Sequence, residues 1–197
     1  GGFDFILSHN IKENQSKYLK ESRELVIKCI SERDTEKILG VQIVGEQGVD
    51  KRIDVFVTAM FFGAKVSDLF HLDLAYAPPF STTKDPVMYT GMIHDNAEHR
   101  DRKLITPAEL IAKRNSFTVV DVRSTADYAK GHIEGALNIP HEELKKRITE
   151  INVNEKIVVH CNKGTTGNAA QNLLINLGFK EVYNLSGGFS QYKMALK

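Results

Sequence analysis

The chain has 197 residues, with 26 Lys and Arg against 25 Asp and Glu, for a formal net charge of +1. That length admits one large domain or two small ones, and the balanced charge leaves no excess to hold a nucleic-acid backbone or an anionic membrane surface. The longest apolar runs, such as residues 59–62 and 157–159, are far too short to cross a bilayer, and no signal-peptide pattern opens the chain. A soluble, cytoplasmic protein is expected. The two cysteines, Cys29 and Cys161, are too few for a disulfide framework, and no Cys or His spacing suits a metal. The opening Gly1-Gly2, without methionine, predicts a fragment of a longer protein.

In chain order, residues 24–30 and 37–44 are rich in Ile, Val and Leu, and the segment between them suits a hairpin loop. In residues 55–62, Thr58 is the only polar residue among eight. Their β-branched and aromatic content favours a strand, whereas the charged entry Lys51-Arg52-Ile53-Asp54 suits a helix start, and a helix is expected. Asp50, Lys51 and Asp54 read as solvated charges. Lys51 and Arg52 read as neutralising nearby carboxylates and nothing more.

The segment Tyr76-Ala77-Pro78-Pro79-Phe80-Ser81 must be irregular, because consecutive prolines remove backbone donors. Asp85 and Pro86 restart a helix as N-cap and first helical residue. Residues 96–103 (NAEHRDRK) hold one apolar residue in eight and are the best boundary, giving domains 1–99 and 100–197.

Beyond it, Thr106-Pro107-Ala108-Glu109 is a capping box that starts a short helix. Residues 117–122 and 156–160 read as buried strands and 182–185 as a third. Residues 142–151 read as a helix with Leu144, Ile148 and Ile151 on one face, and Ala170, Leu173, Leu174 and Leu177 mark another closed by Gly178. The expected fold class is an α+β domain followed by an α/β domain with a small parallel sheet.

The informative string is Ile157-Val158-Val159-His160-Cys161-Asn162-Lys163-Gly164-Thr165-Thr166-Gly167: a buried strand, a cysteine, then a short loop feeding a helix. This places Cys161 at the carboxyl edge of the sheet, where backbone N–H groups at a helix start converge on an anion. A thiolate would itself be that anion, so Cys161 is the candidate nucleophile. Gly164 and Gly167 permit the tight curl, Lys163 adds a compact positive charge, and Thr165 and Thr166 supply hydroxyl donors. His160 precedes the cysteine but points to the opposite face and reads as structural, as does Cys29 within its strand.

This segment resembles the rhodanese family, whose thiosulfate-using members carry Cys-Arg-Lys-Gly-x-Thr where this chain has Cys161-Asn162-Lys163-Gly164-Thr165-Thr166. Asp121-Val122-Arg123, Gly131-His132-Ile133-Glu134-Gly135-Ala136 and Leu185-Ser186-Gly187-Gly188-Phe189 resemble its other signatures, in the family's order. The resemblance implies a Cys161 persulfide that passes its outer sulfur to a thiol acceptor, with Asn162 to Gly167 binding substrate and Asp121 and Arg123 supporting the site. Asn162 replaces an arginine and removes a charge from the rim, so polysulfide or a persulfide of a small thiol, coenzyme A included, fits as donor at least as well as thiosulfate. Rhodanese-like folds also carry Cys-x5-Arg phosphatases, but six residues beyond Cys161 stands Gly167, without the clamping arginine.

Residues 37–45 (KILGVQIVG), 48–54 (GVDKRID) and 74–85 (LAYAPPFSTTKD) resemble the dimerisation domain of pyridine nucleotide-disulfide oxidoreductases, the coenzyme A-disulfide reductase type in particular, in which a rhodanese domain can follow. The resemblance implies a homodimer and a parent protein using FAD, NAD(P)H and coenzyme A. No GxGxxG fingerprint, flavin segment or redox-active cysteine precedes the dimerisation motifs, so no cofactor and no disulfide reduction are expected of this chain. In that family Tyr76 would reach toward the partner's active site; equally, it could pack at the interface. The reading of another class is a non-catalytic module that binds coenzyme A derivatives or only dimerises.

Overall fold

The computed structural model describes residues 4–197 and divides into two compact units between Asp101 and Arg102. The first unit is built on an antiparallel sheet of three strands in the order β1-β2-β3, formed by β1 (Phe5–Glu13), β2 (Glu24–Glu32) and β3 (Ile38–Gly45). The hairpin expected between β2 and β3 is present, with a bulge at Ile30/Ser31. Helices α1 (Val49–Phe61) and α2 (Pro86–His99) follow. The run 55–62 is helical because its inward residue, Phe56, is fully buried in a core with Ile27, Cys29, Ile38, Val66, Leu69 and Val87. Asp85 caps α2 as expected, accepting from Val87 N at 3.0 Å.

Two features of this unit depart from the sequence reading. Strand β1 was not anticipated, because several inward positions are polar: Ser8 pairs with His94 Nε2 at 2.8 Å, and Asn10 donates to the Pro86 carbonyl at 2.8 Å. Arg52 neutralises a carboxylate as expected, but it does more than that, because the pair is buried and the guanidinium also holds backbone carbonyls. It is 2% exposed and donates from Nη2 to Asp85 Oδ2 at 2.8 Å and to the Asn14 carbonyl at 2.8 Å, while Ser81 donates to the same carboxylate at 2.7 Å. An unpaired guanidinium could not be buried, so these partners are what permits its position.

The second unit is a parallel sheet of five strands in the order β4-β8-β7-β5-β6. These are β4 (Leu104–Ile105), β5 (Thr118–Asp121), β6 (Leu137–Asn138), β7 (Ile157–His160) and β8 (Val182–Leu185), all pairs being parallel. Helices α3 (Pro107–Ala112), α4 (Thr125–Ala129), α5 (Thr165–Asn176) and α6 (Gly188–Ala195) alternate with them. Thr106 and Glu109 form the expected capping box. The central strand β7 is buried at every position. Val159 faces the cluster that contains Ala170 and Leu174 of α5, and Val158 faces the one that contains Leu110 of α3 and Phe189 of α6, so the sheet is covered on both faces.

The expected helix over 142–151 is replaced by turns ending in a 3-10 segment, Ile148–Glu150. Its amides reach back three residues, as from Glu143 to Pro140 and from Ile151 to Ile148. Leu144 and Ile151 are nevertheless buried in the same cluster, with Ile148 packed against it, so the apolar spacing reported burial rather than an α-helix. The two-residue strands β4 and β6 were not anticipated either, being shorter than any periodicity can mark.

Candidate active site

Cys161 follows β7 and begins the loop into α5, at the carboxyl edge of the sheet. Its side chain is 7% exposed and belongs to the α5-side cluster. Residues Asn162, Lys163, Gly164, Thr165, Thr166 and Gly167 continue the loop and the first turn of α5. Asn162, Thr165 and Thr166 are exposed, and Lys163 and Gly164 half-buried. Gly164 is the N-cap, in the left-handed region at φ 102°, a conformation that glycine adopts without strain. That geometry turns the Gly164 N–H toward the Cys161 sulfur at 3.2 Å. The positive end of the α5 dipole lies at the same place.

Asp121 ends β5, which lies beside β7. Its carboxylate accepts Arg123 Nε at 2.9 Å and Arg123 Nη2 at 2.5 Å, and both residues are buried. The same guanidinium donates to the Gly131 carbonyl at 2.8 Å, reaches Asn162 Oδ1 at 3.4 Å and stands 4.1 Å from the Phe189 ring centroid. Arg123 therefore connects β5, the 131–136 segment, α6 and the cysteine loop, with its charge opposed by Asp121.

His160 lies on the opposite face from Cys161, near the Phe189 ring, and is fully buried. Burial pushes its pKa down to about 4, despite the neighbouring Asp121 carboxylate. It is neutral at neutral pH and placed away from the thiol. Cys29, in the first unit, is fully buried, which pushes its thiol up to about 12. Tyr76 is in the first unit, in the irregular stretch after the 3-10 segment Val66–His71, and is 48% exposed.

The supports behind the loop carry little signal in the sequence. The Phe189 amide donates to the Cys161 carbonyl at 2.8 Å and the Ser190 amide to the Asn162 carbonyl at 3.0 Å. Gly188 is at φ 59°, and a Cβ there would stand 2.5 Å from the Cys161 carbonyl oxygen. The adjacent glycines 187 and 188 were the signal of that close approach. Asn184 of β8 donates to the Gly164 carbonyl at 3.1 Å. A polar residue inside a buried strand was its only mark.

A parallel sheet with a cysteine at the end of its central strand, a glycine-turned loop and a helix start aimed at the thiol defines the rhodanese-like class. Residues 106–195 match the rhodanese-like domain family, and residues 6–86 match the pyridine nucleotide-disulphide oxidoreductase dimerisation domain. The chain belongs to the rhodanese-like family through its second unit and carries that dimerisation domain as its first. It is 35% identical over 94 residues to the thiosulfate sulfurtransferase GlpE of Stutzerimonas stutzeri, covering 47% of this chain and 86% of GlpE. Among solved structures it is similar to reduced Bacillus anthracis CoADR-RHD, with TM-score 0.93 and 34% identity over 98% of this chain and 35% of that one. It is also similar to a NAD-dependent persulfide reductase from A. fulgidus, with TM-score 0.85 and 31% identity over 97% of this chain and 34% of that one. The chain thus spans about a third of the length of both.

The 161–164 turn puts a thiol and an asparagine where a dinucleotide-binding turn presents bare glycine backbone. The 161–164 turn is therefore not itself a dinucleotide-binding turn. Among the described residues no His, Cys, Asp and Glu group suits a metal, and no helix is long and apolar enough to cross a membrane.

Proposed function

We propose that the second unit is a sulfurtransferase that carries sulfur as a persulfide on Cys161. The observation that carries this reading is the Gly164 amide directed at the Cys161 sulfur at the start of α5. In the first step the Cys161 thiolate attacks the outer sulfur of a persulfide R–S–SH. The donor's S–S bond breaks, R–S⁻ leaves with the electron pair, and Cys161–S–SH forms. In the second step an acceptor thiolate attacks that outer sulfur and the Cys161 thiolate departs. Backbone donors that stabilise the thiolate favour its formation in both steps.

Lys163 and the hydroxyls of Thr165 and Thr166 line the approach and steady an anionic donor, while Gly167, without a side chain, lets Asn184 pack against the first turn. Asp121 and Arg123 hold Asn162 at the rim. Because Asp121 opposes the charge of Arg123 and position 162 is asparagine, the site suits polysulfide or a persulfide of a small thiol, coenzyme A included, as well as thiosulfate. The similarity to GlpE supports sulfur transfer as the reaction class.

The first unit forms a homodimer, supported by its family match and by the exposure of Phe61 and Phe62 on one end of α1. Tyr76 then lies toward the partner's site in a flavoprotein parent that uses FAD, NAD(P)H and coenzyme A, and disulfide reduction belongs to that parent. The function is tested by turnover with coenzyme A persulfide and a small thiol acceptor. Transfer by the wild type that vanishes in Cys161→Ser supports it, and equal rates in both overturn it.

A further inference from the structure

We propose that Asn184 is a positioning residue for the Cys161 thiol, acting through Gly164; the inference rests on the reading of Cys161 as the sulfur carrier. Asn184 sits in β8, with its backbone amide fixed to the Lys103 carbonyl at 2.9 Å, so its side chain springs from a rigid element. Its Nδ2 donates to the Gly164 carbonyl at 3.1 Å, the same oxygen that takes the Asn168 amide at 2.9 Å in the first turn of α5. The Gly164 N–H is aimed at the sulfur, and the residue holds φ 102°, a conformation reached freely by glycine and not enforced by local preference. The carbonyl and the N–H lie in peptide planes on either side of the Gly164 Cα, so holding the carbonyl restrains the N–H by limiting the φ and ψ that glycine would otherwise explore.

The other end of the same side chain argues that this contact is the reason for its presence. Asn184 is 7% exposed, and its Oδ1 has no hydrogen-bond partner among the described residues. A Cβ on Gly167 would stand 2.4 Å from that oxygen, so the amide lies flush against the first turn of α5 and only glycine makes room for it. A buried acceptor left unpaired is unfavourable, and an apolar side chain of the same shape would avoid the cost. Stability alone therefore does not call for asparagine here. The Nδ2 contact does.

The test is the pH dependence of Cys161 alkylation by iodoacetamide in the wild type, Asn184→Leu and Asn184→Asp. Cys29 is buried and does not contribute while the protein is folded. Both variants remove the donor at similar volume, but Asn184→Asp also adds a negative charge that raises a thiol midpoint by itself, so the uncharged Asn184→Leu decides the outcome. Each is expected to move the midpoint of alkylation upward by roughly half a pH unit, about threefold in rate at neutral pH, with the Leu variant no less thermally stable than the wild type. A midpoint unmoved in Asn184→Leu overturns the proposal, whether or not Asn184→Asp shifts and whether or not the Leu variant unfolds at lower temperature. Should either variant fail to fold, Asn184→Ser, whose hydroxyl is too short to reach, is expected to give the same shift. An unmoved midpoint there counts against the proposal equally. Failure of wild-type Cys161 to take up sulfur would instead overturn the carrier reading, and the alkylation midpoints would still decide the role of Asn184.

Discussion

Arg52 and Asp85, each 2% exposed, meet at 2.8 Å and tie the start of α1 to the cap of α2. Asp85 accepts simultaneously from Ser81 and from the Val87 amide, and Arg52 also holds the Asn14 and Gly48 carbonyls. The pair therefore fastens four stretches of chain, among them the end of the segment that carries Tyr76.

Removing one partner leaves a buried charge alone. Arg52→Met is expected to destabilise the first unit by about 3–5 kcal/mol, and Asp85→Ala by a similar amount plus about 1 kcal/mol for the lost helix cap. Urea unfolding of the single and double variants measures this. The double variant should be less destabilised than the sum, because neither charge is then left unpaired.

Two buried histidines make stability depend on acid. Burial lowers His94 to about 3 and His160 to about 4. An unfolded histidine titrates near pH 6.5, so below that value the unfolded chain takes up protons that the folded one refuses. Stability is fully present above about pH 6.5 and falls as pH drops toward 4, by on the order of 3 kcal/mol for each group. Unfolding midpoints measured between these limits check the sign. In His160→Gln the second unit should lose part of the dependence, and a stability that rises on acidification would contradict the burial argument.

The Cys161 loop tolerates no side chain behind it at Gly188. Gly188→Ala combines a φ of 59° with a Cβ 2.5 Å from a backbone oxygen. It is expected to cost about 1–3 kcal/mol in the second unit and to slow sulfur loading of Cys161. Gly63→Ala, also at positive φ but with open space around it, is the comparison: some loss of stability in the first unit and no change in loading.

Dimerisation rests on the outward residues of α1. Phe61 is 83% exposed, Phe62 78% and Val57 54%, an apolar surface of the kind that a partner covers. Light scattering at micromolar concentration should report a dimer for the wild type and a shift toward monomer for Phe62→Glu. A monomeric wild type would remove the proposal.

Much of this was legible from local chemistry. The capping box at Thr106 and Glu109, the Asp85-Pro86 helix start and the strand-cysteine-loop-helix string each state their structure in a few adjacent residues, and the family resemblance supplied the order of the two domains. What was illegible depends on partners remote in sequence. Arg52 reads as the neutraliser of a nearby carboxylate, but its burial shows only once Asp85 and the Asn14 carbonyl are placed beside it, and Ser8 and Asn10 disguise an inward strand face that His94 and the Pro86 carbonyl satisfy. Asn184 acquires its role from a carbonyl twenty residues away. The apolar spacing in 142–151 suited a helix, yet amides reaching back three residues bury Leu144 and Ile151 equally well.

The central claim, a sulfur atom carried on Cys161, is tested most directly by the intact mass of the wild type and of Cys161→Ser after incubation with coenzyme A persulfide and, separately, with thiosulfate. A gain of one sulfur in the wild type with at least one donor, absent from Cys161→Ser and reversed by a thiol acceptor, is the predicted result. No gain with either donor, or an equal gain in Cys161→Ser, would contradict it.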